Sequence, residues 1–370
     1  MKLRIGIDGR VFIGNKTGVG HYVSELCKAL DRVLPDVKFY IYNRDKVELP
    51  VSSPNWILRT ESSLLKKKLP NILWLKFASG FLCRRDRINI YWGAGSFLPF
   101  FLGPVHTVLT VYDMVYKIVP KTMYKFNLLV FRLFFKQDAR KAMKITTISR
   151  GTSERLKENL DLDSDAIIYP SVNERFVPQG KDKVRDCLKK YGITKPYFLS
   201  VATWEPRKNL LLLLETFLRM KRNGELDDYS LVLVGGHGWK NKKLTRILDE
   251  NNESQDILFL GYVADEVLPS LYSGSKAFLF PSVYEGFGIP VLEARKCGIP
   301  VITSDITELR EAGGNGCIYI SPTGKGIRDG IARLLKGEFN TSHKDVPNPT
   351  WDDGAKKLAR IFMDAVNCIN

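Results

Sequence analysis

The segment Phe280-Pro-Ser-Val-Tyr-Glu285-Gly-Phe-Gly288-Ile-Pro290-Val-Leu-Glu293 sets carboxylates and glycines at a strand–helix junction. A strand over 277–281 runs into a turn bearing Gly286 and Gly288, and Pro290 sits where the first helical residue is favoured. Free N–H groups at such a helix start, with two glycines letting the backbone come close, make an anion site. Glu285 stands on the turn and Glu293 one turn into the helix, where both suit sugar or ribose hydroxyls. The plainer alternative is a loop with a solvated glutamate at each place. A second segment, Val201-Ala-Thr-Trp-Glu205-Pro-Arg207-Lys208-Asn209, also ends a strand and opens a helix, with Asn209 able to cap it. Its adjacent cations suit a diphosphate, and Arg207 adds bidentate geometry. The alternative there is a surface basic pair.

Two further signals lie earlier in the chain. Gly6-Ile-Asp8-Gly-Arg10, followed by Gly14-Asn-Lys-Thr-Gly18-Val-Gly20-His21, forms a Gly-rich loop after the first strand. It looks like a truncated dinucleotide fingerprint, but no acidic residue closes the second strand, which ends Tyr42-Asn43-Arg44. NAD binding is therefore not expected. Val108-Leu-Thr-Val-Tyr112-Asp113 is a buried strand ending in a carboxylate. Asp113 either meets an acceptor hydroxyl or donor sugar, or caps the following turn.

These segments need strand ends to carry them. Strands are predicted at 3–8, 38–42, 88–92, 106–112, 144–148 and 166–169, then at 197–203, 230–235, 257–263, 277–281, 300–303 and 317–320. Helices are predicted at 20–34, 64–84, 123–143, 150–160, 182–191, 209–223, 239–251, 265–274, 290–297 and 325–336, with a last one over 351–370. Such alternation means parallel sheets with helices on both faces. The series restarts after a Pro- and Gly-bearing stretch near 170–195, so two doubly wound domains are expected. The length of 370 residues agrees with two cores rather than one.

Hydrophobic residues make up 44% and charged residues 26%, which excludes a disordered or fibrous chain. The net charge of +16 is lopsided. Residues 1–192 hold 34 Lys and Arg against 18 Asp and Glu, whereas 193–370 hold 22 of each. Residues 51–150 alone hold 17 against 4, so the first half is built to meet something anionic. Six scattered cysteines without a CxxC argue against a zinc cluster or a disulfide framework and suit a reducing cytoplasm. The N-terminus alternates like a strand rather than a signal peptide. Residues 90–112 carry no charge, but glycines and prolines divide them into strand, loop and strand rather than a membrane span.

Taken together, the E-x7-E pair Glu285…Glu293 and the run Glu205-Pro-Arg-Lys-Asn209 resemble retaining glycosyltransferases of family 4. Gly261-Tyr262-Val263 before Asp265-Glu266, Thr17-Gly-Val-Gly20 and Thr146-Thr-Ile-Ser149 are similar as well. The resemblance runs from residue 3 to about 365 and is most specific over 197–305. It implies a GT-B fold, with two Rossmann-like domains facing across a cleft. These would be an acceptor domain over 1–175 and a nucleotide-sugar domain over 176–350, with helix 351–370 packing back on the first. It further implies that Arg207 and Lys208 bind the donor diphosphate and that Gly286, Phe287 and Gly288 contact sugar and phosphates through their backbone. Glu285 would hold sugar hydroxyls, Glu293 the ribose, the backbone at Tyr262-Val263 the base, and Gly18 would let the first loop approach the phosphates. Asp113 matches a His-Asp strand end in which Tyr112 replaces the His, which puts an imidazole role there in doubt. No metal or other cofactor is implied.

Other signals point elsewhere. The DxD patterns in Asp161-Leu-Asp163-Ser-Asp165 read as a solvated loop, and the four histidines (21, 106, 237 and 343) lack metal spacing. E-x7-E is also a possible glycosidase pair, but its anion-loop context favours sugar transfer. A nucleotide-sugar epimerase or oxidoreductase would need tight NAD, and a non-catalytic nucleotide-sugar binder is a third class. The basic segments 64–85 and 124–141 carry Trp, Phe and Leu beside Lys and Arg, which suits an anionic membrane surface; ordinary packing helices are the alternative. No nucleic-acid signature accompanies the charge. The expectation is a peripheral enzyme on the inner face of the cytoplasmic membrane. It would move a sugar, mannose from GDP-mannose by the resemblance of Ile7-Asp-Gly-Arg10, onto a lipid-linked saccharide of a bacterial surface polysaccharide. UDP-sugars and dTDP-rhamnose stay open as donors.

Overall fold

A computed structural model describes residues 3–14, 18–236, 238–239, 242–250, 256–339 and 346–367. Thr17, His237, His343, residues 240–241 and 251 of predicted helix 239–251, and residues 368–370 of the last predicted helix lie outside these residues. The chain divides into two units. The first comprises residues 1–117, 125–171 and 349–370, and the second 118–124 and 172–348.

The first unit is a seven-stranded parallel sheet built from β1 (Arg4–Asp8), β2 (Lys38–Asn43), β3 (Trp56–Thr60), β4 (Ile90–Gly93), β5 (His106–Val111), β6 (Lys144–Thr147) and β7 (Ala166–Ile167). Its spatial order is β3-β2-β1-β4-β5-β6-β7. The second unit holds six parallel strands: β8 (Tyr197–Val201), β9 (Ser230–Val234), β10 (Ile257–Gly261), β11 (Ala277–Phe280), β12 (Val301–Ser304) and β13 (Cys317–Ile320). Their order is β10-β9-β8-β11-β12-β13. Each order reverses once, between β1 and β4 and between β8 and β11. A crevice opens outside the strand C-termini at such a point, and ligands of open α/β sheets bind there.

Central strands such as Ser230–Val234 and Ala277–Phe280 are buried throughout, as expected for a sheet covered on both faces. The last helix, Trp351–Asn367, packs on helix Gly18–Val33 of the first unit. Trp351 meets Tyr22 edge to face at 5.6 Å, Phe362 meets Trp92 at 5.9 Å, and Arg32 pairs with Asp352 at 2.5 Å.

Five local expectations change. Strand β3 was not foreseen, since Trp56-Ile-Leu-Arg-Thr60 is a half-buried edge strand without a long apolar run. Helix Thr307–Gly313 was not foreseen either. The single helix expected over 64–84 is interrupted at Pro70, which lacks an N–H and fixes its backbone, leaving 64–67 and a second helical stretch over 71–85. That second stretch and the one over 125–141 each contain a π-helical turn, at Leu75–Ser79 and Phe131–Phe135. The helix after Asp265-Glu266 starts only at Leu268.

Candidate functional site

The second unit concentrates charge at its reversal point. Arg207 and Lys208 follow β8 in a short 3-10 turn opened by Pro206. Asn209 takes a left-handed conformation (φ 60°) and donates from its side-chain amide to the carbonyls of Pro281 and Pro322, both at 3.1 Å. The Val283 N–H donates to the Arg207 carbonyl at 2.8 Å, which joins the loop after β8 to the loop after β11.

Glu285, 5% exposed, completes the junction. Its Oε2 accepts from Arg207 Nη1 and its Oε1 from Lys208 Nζ, each at 2.6 Å. Arg207 also donates through Nε to Glu205 at 2.9 Å, and Lys208 lies 5.1 Å from the centre of the Phe280 ring. Burial alone would raise the Glu285 pKa, but Arg207 and Lys208 overcome it and hold the carboxyl at about 2. Burial and the neighbouring Arg207 push Lys208 down, against the attraction of Glu285. Two cations and two carboxylates thus form one net-neutral cluster. Sequence reading assigned Arg207, Lys208 and Glu285 separate ligand duties. Their mutual pairing, and the part of Glu205 and Phe280 in it, had no local signal because the partners are 77 and 78 residues apart.

The glycine turn that follows is sterically fixed. Gly288 has φ 106°, and a Cβ there would lie 2.5 Å from Leu309 Cδ2. Phe287 between the glycines is buried, and Pro290 lies in the first turn of helix Ile289–Lys296. On that helix, Glu293 accepts from Tyr272 Oη at 2.8 Å. Burial pushes Glu293 up to about 7, against that hydrogen bond and with help from Asp265. Tyr262 and Val263 follow β10, two strands from β8. Val263 is buried while the Tyr262 side chain is 79% exposed, so this loop offers backbone and an open ring.

The remaining predicted residues belong to the first unit. Asp113 follows β5, and its Oδ1 accepts from Val115 N–H at 3.0 Å, so it caps the next turn while staying half-buried. Tyr112 is buried, and its hydroxyl donates to the Ala94 carbonyl at 2.7 Å. Burial raises that phenol well above its ordinary value, which unfits it for proton transfer near neutrality. Gly18 opens helix Gly18–Val33, and a Cβ there would meet nothing within 4 Å. The ring of His21 packs edge-on against Trp351 at 6.3 Å. Asp161 and Asp163 both pair with Lys157, and no group of three or more metal-ligating side chains occurs among the described residues.

The basic segments of the first unit carry a second surface. Leu64 and Leu65 are 79% and 78% exposed, and Phe77, Phe81, Phe101, Phe126, Leu129 and Leu133 are about half exposed. Lys66 and Arg84 lie over the Phe81 ring at 5.5 and 4.9 Å. In the same segments Lys76 and Asp138 form a buried ion pair, with Lys76 over the Phe100 and Phe134 rings at 4.6 and 5.0 Å. Lys76 also donates to Leu98 O at 2.9 Å and Asp138 accepts from Leu98 N at 3.0 Å, so the pair pins the loop that carries Phe100 and Phe101. No described helix is long and apolar enough to cross a membrane.

Known proteins resemble this chain in sequence and in fold. Residues 186–348 match the model of glycosyl transferases group 1. The chain is 30% identical over 236 residues to O-antigen chain mannosyltransferase B of Escherichia coli, covering 63% of this chain and 61% of that protein. It is 30% identical over 194 residues to O-antigen chain mannosyltransferase RfbU of Salmonella typhimurium, covering 52% and 50%. The chain thus spans half to three fifths of the length of these relatives. In fold it matches sucrose-phosphate synthase from Thermosynechococcus elongatus with a TM-score of 0.73 at 18% identity, over 98% of this chain and 99% of that one. Residues 186–348 thus resemble group 1 glycosyltransferases, in a chain of GT-B fold that is similar in sequence to O-antigen mannosyltransferases.

Proposed function

We propose that the chain is a retaining glycosyltransferase of bacterial surface-polysaccharide assembly that moves mannose from GDP-mannose to a lipid-linked saccharide. The carrying observation is the Glu205–Arg207–Lys208–Glu285 cluster at the reversal point of the group 1 domain. In this reading Arg207 and Lys208 turn from Glu285 to the donor diphosphate and offset the charge that grows on it. Glu285, ionised throughout the neutral range, accepts from sugar hydroxyls. Glu293 takes the ribose, the Tyr262-Val263 backbone the base, the Gly286–Gly288 backbone the sugar and phosphates, and Gly18 gives the first loop access to the phosphates. The sugar C1–O bond to phosphate breaks while a bond from C1 to the acceptor oxygen forms on the same face. The acceptor proton passes to the departing phosphate oxygen, so no separate general base is required. Asp113 orients the acceptor hydroxyl in this scheme.

The exposed leucines and phenylalanines with Lys66, Lys67, Lys68, Arg84 and Arg85 support docking on an anionic membrane from the cytoplasmic side, where the lipid-linked acceptor resides. The 1–175 and 176–350 division into acceptor and donor domains belongs to the same reading.

The test is transfer of label from radiolabelled GDP-mannose, UDP-sugars and dTDP-rhamnose into a lipid-linked acceptor fraction. Label is expected to move from GDP-mannose; a folded protein that transfers from none of them overturns the reading. A thermal-shift screen of the same donors identifies the nucleotide independently, because a ligand bound only by the folded state raises its stability. Reversing Lys66, Lys67, Lys68, Arg84 and Arg85 to glutamate is expected to abolish sedimentation with anionic vesicles, and unchanged sedimentation removes this surface from the scheme.

A further inference from the structure

The first unit has its own reversal point, between β1 and β4, and a built polar pair sits on it. Asp8, the last residue of β1, is fully buried. Its carboxylate accepts from the Arg10 backbone N–H at 3.1 Å, from Arg10 Nε at 3.0 Å and from Nη2 at 2.6 Å. These contacts lock the guanidinium in one plane. Its central carbon lies 5.4 Å from the centre of the Phe97 ring, on the loop after β4.

The loop after β4 is shaped around this pair. A Cβ at Gly95 would overlap Asp8 Oδ2 and come within 3.1 Å of Arg10 Nη2, so only glycine lets the backbone lie against it. Ser96 Oγ donates to Thr110 O at 2.9 Å and Tyr112 Oη to Ala94 O, which fix the same loop to β5. Asp113 stands at the end of β5, the next strand along.

One edge of Arg10 remains. Nε and Nη2 serve Asp8, whereas Nη1 has no acceptor among the described residues, and the side chain keeps 15% of its surface exposed. The pair carries no net charge, so it presents a rigid N–H donor edge rather than a positive field. Asp8 holds both Nε and Nη2 from two residues away, so this guanidinium has no room to turn toward a phosphate, and its open edge suits a neutral oxygen. Its place at the sheet reversal matches that of the Arg207–Glu285 pair in the second unit.

We propose that Arg10, held by Asp8, is the positioning contact for a hydroxyl or ring oxygen of the acceptor saccharide. This rests on the glycosyltransferase reading above. Arg10→Lys keeps the countercharge for Asp8 but loses the planar fork. In the full chain it is expected to raise the KM for the lipid-linked acceptor about tenfold, the loss of one hydrogen bond. The kcat and the donor-induced thermal shift stay at wild-type values. A second readout needs no turnover: saturation-transfer NMR with methyl α-mannobioside, where the variant is expected to show a weaker signal than wild type. If Arg10→Lys fails to fold, the neutral pair Asp8→Asn with Arg10→Gln takes its place, with the same expectations. A folded variant with unchanged acceptor KM and unchanged mannobioside signal overturns the proposal, as does a wild type that binds no mannobioside. Should the wild type bind mannobioside in an Arg10-dependent way yet transfer nothing from any donor, the glycosyltransferase reading falls and the saccharide contact stands.

Discussion

In the second unit, Glu285 reaches from the loop after β11 to two cations on the loop after β8, 77 and 78 residues away. In the first unit, Asp8 holds Arg10 two residues along the same loop. Both pairs stand where a parallel sheet reverses its order. The long-range arrangement ties two loops together and leaves two cations on one carboxylate, which the proposed reading has a donor diphosphate displace. The short-range one fixes a single side chain and leaves an edge of it open. In the proposed reading the same ingredients yield an exchangeable clamp in one unit and a rigid donor in the other. The first unit adds a third pattern, the Lys76–Asp138 pair, which is buried and serves the packing of a loop.

The largest expected effect separates that packing pair from the two at the sheet edges. Asp138→Ala leaves Lys76 buried without a countercharge and is expected to lower unfolding stability by about 3–5 kcal/mol in a urea titration. Replacing both partners by apolar residues, Lys76→Met with Asp138→Leu, should recover most of it. An Asp138→Ala chain as stable as wild type would show that the loop with Phe100 and Phe101 does not depend on the pair.

Next comes the clamp. The folded-state pKa of Glu285 lies below its ordinary value of 4.5, at about 2. Its contribution to stability is therefore complete above about pH 4.5 and fades as pH falls toward 2. Glu285→Gln should be less stable than wild type by about 3 kcal/mol near neutrality, with the difference closing in that acid window. A difference that does not depend on pH would mean the ion pairs are not its source.

Two glycines sharpen the contrast between fixed and open backbone. Gly288→Ala must adopt φ 106° and displace Leu309, so a loss of about 2 kcal/mol in thermal or urea unfolding is expected. Gly18→Ala meets no atom within 4 Å and should leave stability within about 0.5 kcal/mol, while donor affinity falls if the first loop approaches the phosphates. Equal stability losses at the two positions would erase the distinction.

Equal in size to the Glu285 effect but opposite in sign is that of Glu293, whose folded-state pKa is raised to about 7. Its ionisation costs stability as pH rises from about 4.5 through 7, the reverse of Glu285. Glu293→Gln, which keeps an acceptor for Tyr272, should melt above wild type at pH 8 and converge with it toward pH 5. Melting curves that stay parallel across this range would count against a raised carboxyl.

Much of the fold was legible because continuous apolar runs such as Ser230–Val234 mark strands covered on both faces. Trp56–Thr60 escaped notice because an edge strand buries only part of each face. The π-helical turns were equally hidden; in the folded chain Phe77 meets Phe100 and Phe131 meets Phe97, residues of the loop after β4. At the site, residue types and their places at strand ends were readable for Glu285, Arg207, Lys208, Gly288 and Glu293. Asp8 and Arg10 were visible only as part of a glycine-rich loop, although the i, i+2 spacing of opposite charges was a signal for their pairing. Asp138 offered a fainter sign, as one of four acidic residues among seventeen basic ones between 51 and 150.

By itself, then, the sequence determined two parallel-sheet units, the loops that carry charge and glycine, and a basic half beside a neutral one. Periodicity, glycine placement and charge are local or additive properties, so one dimension records them. Tertiary structure decided which charges neutralise one another. Coulombic pairing and desolvation depend on distance through space, and the topology alone brings Glu285 to Arg207, Asp138 to Lys76 and Gly95 against Asp8.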